Sequence, residues 1–125
     1  MTENEIGSVV INCALKVHSQ LGAGLLESAY RVCLAHELKK ADLSVRQEVS
    51  LPLRYDDLVV ENGYRVDLLV GERVLVELKS LESLLPVHRA QLVSYLRLGN
   101  FKLGYLLNFN VARMRDGIVR VVNGL

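Results

Sequence analysis

Two neighbouring runs restrict the possible folds most: Tyr64-Arg65-Val66-Asp67-Leu68-Leu69-Val70 and Val74-Leu75-Val76-Glu77-Leu78-Lys79. Valine and leucine fill both phases of each run, the pattern of a strand covered on both faces. Such strands belong at the centre of a sheet with helices on either side. Charges in that setting are costly unless something compensates them. Glu77 and Lys79 are two residues apart and therefore point to the same face. Two carboxylates, Asp67 and Glu77, with one lysine are what a magnesium-dependent phosphodiester hydrolase needs. An acidic-x-Lys strand also occurs as a plain surface ion pair on a sheet edge, and the motif alone does not separate the two.

The rest of the chain supplies the helices. Ile6, Val9, Val10, Cys13 and Val17 recur at helical spacing and predict a first helix ending near Leu21-Gly22. After the Gly22-Ala23-Gly24 break, a second helix is expected from about Leu25 to Lys40. Its buried stripe would be Leu26, Ala29, Tyr30, Cys33, Leu34 and Leu38. Val45–Tyr55 alternates like a strand, and Tyr55-Asp56-Asp57 suits a hairpin turn. Leu58–Glu61 and Tyr64–Val70 follow as strand, with a bulge or turn expected at Asn62-Gly63. Gly71-Glu72 turns the chain into Arg73–Lys79. Pro86 fits the first turn of a helix running to Leu98 and ending at Gly99-Asn100. Phe101–Phe109 and Ile118–Val122 complete the strands. The expected class is α/β, a mixed sheet flanked by helices, with Arg73–Phe109 as a right-handed strand–helix–strand crossover.

At 125 residues, half of them hydrophobic, one domain with a real core is expected. No apolar run reaches bilayer length and Met1–Glu5 is unlike a signal peptide, so a cytoplasmic protein is expected. Cys13 and Cys33 lie in apolar helical patterns without a CxxC or Cys/His cluster, which disfavours structural zinc. Net charge is +1, but unevenly spread. Residues 1–85 carry nine Lys/Arg against thirteen Asp/Glu, and residues 86–125 carry six against one. A basic C-terminal segment beside an acidic site suits a phosphate-backbone ligand; solvated surface arginines account for it equally well.

Magnesium favours oxygen donors, so Asp67, Glu77 and the Leu78 carbonyl form a suitable partial cage. Lys79 would then orient the attacking water or steady the charge on the phosphorane. On the following helix, His88, Gln91 and Tyr95 at i, i+3 and i+7 form one stripe. Gln91 and Tyr95 can reach the water, Lys79 or substrate phosphate; His88 reads as a surface residue. Tyr95 also suits a core position with its hydroxyl at the rim. Glu27 has two readings, a carboxylate favoured by the helix N-terminus or a further metal ligand.

Gly24-Leu25-Leu26-Glu27-Ser28-Ala29-Tyr30 has a GxxExxY pattern, followed by Asp67, Glu77-Leu78-Lys79, Gln91, Tyr95 and Gly104-Tyr105-Leu106-Leu107-Asn108-Phe109. From about Glu5 onward the chain resembles the small GxxExxY proteins, assigned to the PD-(D/E)XK nuclease superfamily with its restriction-endonuclease-like fold. Val66 stands where the superfamily's name has proline. The resemblance implies a core order αβββαβ preceded by an extra N-terminal helix. It implies Asp67, Glu77, Lys79 and Gln91 as the catalytic set and Glu27 as an added metal carboxylate. Tyr30 and Tyr95 become candidate substrate contacts. The expected protein is a Mg²⁺- or Mn²⁺-dependent nuclease, acting on DNA more than RNA and working as a homo-oligomer such as a dimer. The expectation from another class is a non-catalytic nucleic-acid- or protein-binding module on the same scaffold.

Overall fold

A computed structural model describes all residues, Met1–Leu125. The elements follow in the order α1 (Glu3–Leu21), α2 (Glu27–Lys40), β1 (Val45–Tyr55), β2 (Leu58–Val70), β3 (Val74–Lys79), α3 (Pro86–Gly99), β4 (Leu103–Asn108) and β5 (Ile118–Val122). A 3₁₀ turn over Met114–Gly117, not expected from the sequence, leads into β5. The sheet runs in the order β1-β2-β3-β4-β5. Only β3 and β4 are parallel, joined through α3 as the crossover pattern implied. This is the expected α/β, restriction-endonuclease-like arrangement. No helix is long and apolar enough to cross a membrane.

Alternation on β3 explains the two layers. Val74, Val76 and Leu78 face α1 and α2, where they join Val10, Tyr30 and Leu34 in the larger core. Leu75 faces α3 and packs with Leu92, Leu96 and Leu106 in the smaller one. Every residue of β4 and all of β3 except Lys79 are buried, as strands apolar in both phases require.

One local expectation is narrowed and one is corrected. First, of the bulge or turn expected at Asn62-Gly63 the structure has the bulge, and β2 runs on through it. Leu51 pairs with Tyr64 and Leu53 with Val60, so Glu61, Asn62 and Gly63 face Pro52 alone in a bulge. Proline has no N–H to contribute to a ladder, and a Cβ on Gly63 would collide with that of Leu53. Second, Leu26 is not in the buried stripe of α2. It is the residue before the helix and is 77% exposed; Ala35 takes the stripe position instead.

The β1–β2 hairpin changes its allegiance along its length. Val45 packs with the α1/α2 core, but Val49, in the same phase, belongs to the α3 core. Between them Glu48 has φ of +50°, a left-handed residue that turns the strand. On β2 the same switch separates Val66 from Leu68. Asp67 lies at the switch.

Candidate active site

Asp67 and Glu77 meet where β2 and β3 stop pairing. The backbone register couples Val70 with Val74, Leu69 with Leu75 and Leu68 with Val76, and extends no further. The next rung would be Asp67 opposite Glu77. Side chains complete it instead: Asp67 N–H donates to Glu77 Oε1 at 3.0 Å, and Leu78 N–H donates to Asp67 Oδ2 at 2.8 Å. Each carboxylate thus satisfies a backbone donor that the parting strands have orphaned. One oxygen of each remains free of these bonds.

The two carboxyl groups lie within reach of each other. Glu77 is only 6% exposed. Burial and then the neighbouring Asp67 charge push its pKa up to about 8, against partial relief from the Asp67 N–H and from Lys79. No cation is paired with either. The six ion pairs of the protein involve none of Glu27, Asp67, Glu77 or Lys79. A divalent ion fits this donor set: adjacent hard oxygens, surplus negative charge and no partner. Leu78 adds to it. Because its N–H points to the β2 edge, strand alternation puts its carbonyl on that edge too. Lys79, half-buried at the strand end, is held by its carbonyl, which accepts from Phe109 N–H at 3.0 Å.

Glu27 comes from the other side, as the first residue of α2. Desolvation raises its pKa and Lys79 lowers it, with Asp67 raising it further. It therefore shares the electrostatic field of the site. It does not close a three-ligand cage, because no three His, Cys, Asp or Glu side chains converge on one point. Repulsion between like charges keeps such groups apart.

The stripe of α3 roofs the site. Tyr95 stacks on Tyr64 at 4.7 Å, and its hydroxyl is pushed up by burial and by Glu77, with relief from the Gln91 amide. Gln91 is exposed beside it. His88 is not the plain surface residue expected. Its Nδ1 accepts from Leu85 N–H at 2.9 Å, capping α3, and its ring lies in the field of Glu27.

A comparison with protein families matches residues 4–121 to the PD-(D/E)XK nuclease superfamily. The chain belongs to that superfamily. Its members hydrolyse nucleic acids and generally use divalent metals. No curated protein and no solved structure matches the chain.

Within this nuclease fold one expected contact is corrected. Tyr30, expected to touch substrate, is 0% exposed and stacks on Phe109 at 4.6 Å. Its hydroxyl donates its one proton to Gly22 O and accepts from Leu25 N–H, so it fastens the loop before Glu27, and its burial keeps it from a ligand. Gly24, at φ of +95°, lets that loop bend. Asn108 and Ser80 were missed as working parts. The buried Asn108 amide brackets Leu81, accepting from its N–H and donating to its carbonyl at 3.0 Å each. An amide inside an otherwise apolar strand was the available signal. Ser80 is next to Lys79 and carried no signal beyond that adjacency.

Proposed function

We propose that this chain is a Mg²⁺- or Mn²⁺-dependent nuclease of the GxxExxY kind, hydrolysing DNA phosphodiester bonds in the cytoplasm. The observation that supports it most is the Asp67–Glu77 pair, a half-buried aspartate and a buried glutamate, adjacent, deprived of a counter-charge and set where two strands separate. Asp67, Glu77 and the Leu78 carbonyl would hold the cation, with Glu27 as a further carboxylate. The chemistry a cation supplies there is polarisation of the phosphodiester and acidification of the attacking water. Lys79 orients that water and offers positive charge to the developing phosphorane. The water oxygen bonds to phosphorus, the ester P–O bond breaks, and the departing oxygen takes up a proton. Gln91 and Tyr95 line the approach on α3 and contact the water or a phosphate oxygen.

The 125 residues act as one domain in this reading. Two free cysteines suit a reducing compartment. One site cuts one strand, so duplex cleavage calls for two copies, which makes a homodimer part of the proposal. DNA rather than RNA is the substrate class proposed.

The test is incubation with single-stranded, duplex and branched DNA and RNA in Mn²⁺, beside the Lys79→Ala protein. Cleavage by the natural chain that Lys79→Ala removes supports the reading. No cleavage of any substrate, or cleavage that the substitution leaves undiminished, contradicts it.

A further inference from the structure

Glu27 opens α2, yet nothing at that helix end fixes it. Leu26 occupies the cap position and offers no side-chain acceptor. Glu27 feels attraction from Lys79 and repulsion from Asp67, and is in no ion pair that would fix it. Its place is set through the loop that precedes it.

Three hydrogen bonds do so. Tyr30 Oη donates to Gly22 O at 2.6 Å and accepts from Leu25 N–H at 3.1 Å. Ser80 Oγ donates to Leu25 O at 2.6 Å. Behind Tyr30 stands Phe109, parallel to within 13°. Beside Ser80 stands Leu81, bracketed by Asn108, whose own register partner is Lys79. The loop that delivers Glu27 is therefore tied directly to the strand end that delivers Lys79, across 55 residues of sequence.

We propose that Ser80, with Tyr30 behind it, is a positioning residue whose hydroxyl clamps the Gly22–Leu26 loop to the end of β3 and keeps Glu27 beside the Asp67–Glu77 pair. This rests on the reading of that pair as a metal site given above. Leu25 is two residues from Glu27, so a tether at its carbonyl leaves the carboxylate little room to drift. Residues that orient ligands in this way typically alter metal affinity by about 10- to 100-fold.

The test is a double-mutant cycle read by calorimetric titration of the full chain with Mn²⁺ alone. Ser80→Ala and Glu27→Gln are each expected to weaken binding about tenfold, and the double variant by no more than either, because both act through the Glu27 carboxylate. Ser80→Thr, which keeps a hydroxyl, should restore the natural affinity. A merely structural serine would lower thermal stability without this non-additivity. Losses that multiply in the double variant, or Ser80→Ala binding like the natural chain, overturn the clamp and leave the metal site standing. Natural protein that takes up no Mn²⁺ overturns both. Should Ser80→Ala not fold, Tyr30→Phe, which keeps the stacked ring, replaces it in the same cycle with the same deciding outcomes.

Discussion

The two ends of the β2–β3 pairing differ in kind. At the turn end, Val70, Leu69 and Leu68 couple to Val74, Leu75 and Val76 through backbone, and each is buried in one of the two cores. At the next rung the backbone pairing has ceased and two carboxylates bridge the gap. The closed end is held by apolar packing and buries no charge. The open end keeps a buried carboxyl without a counter-ion, which holds its proton instead. A sheet that was only structural would have no reason to differ so much over one strand.

Substitutions can break this contrast. The largest effect is expected at the open end: Glu77→Gln, which retains shape and hydrogen bonding but not charge, should lower cleavage in Mn²⁺ by about 10²- to 10³-fold with the fold intact by circular dichroism. Leu75→Ala at the closed end should do the reverse. It should cost about 2–5 kcal/mol in urea unfolding, while the folded fraction keeps its Mn²⁺ affinity.

A pH series sharpens the same comparison. Glu77 holds its proton up to about 8 in the fold, against 4.5 as its ordinary value. The folded state therefore carries the extra proton between those values. The stabilisation is complete below the lower one and is lost as pH rises through about 8. Stability of the metal-free protein should fall on the order of 2 kcal/mol from about pH 6 to about pH 9, and Glu77→Gln should flatten that slope. Mn²⁺ affinity should move oppositely, rising with pH as the cation displaces the proton. The smallest effect belongs to a charge pair at the closed end. Arg46 and Glu72 meet at 3.0 Å but both are over half exposed, so Arg46→Ala should change stability by less than about 1 kcal/mol and cleavage not at all.

Much of this was legible in the residues. Strands apolar in both phases announced a covered sheet, and β3 and β4 are buried accordingly. Asp67, Glu77 and Lys79 stood out because charge in such a strand needs a reason, and the structure brings the two carboxylates together. Periodicity could not locate the start of α2, so Leu26 was assigned to a core it does not enter. Nor could it distinguish a strand break from a bulge at Asn62-Gly63, since both use the same residues and only the partner strand decides. Tyr30 was correctly placed in the buried stripe, but its hydroxyl bonds to Gly22 and Leu25 depend on the path of the loop. The roles of Ser80 and Asn108 are tertiary for the same reason: each joins segments far apart in the chain.

Everything turns on whether a divalent cation sits between the carboxylates of Asp67 and Glu77. The direct measurement is anomalous scattering from crystals soaked in Mn²⁺. A peak within coordination distance of both carboxylates, weakened or abolished by Glu77→Gln, is the expected result. A fully soaked crystal of the natural chain with no peak there, or with its manganese in the groove between α1 and α2 near His36 and Glu37, would contradict it.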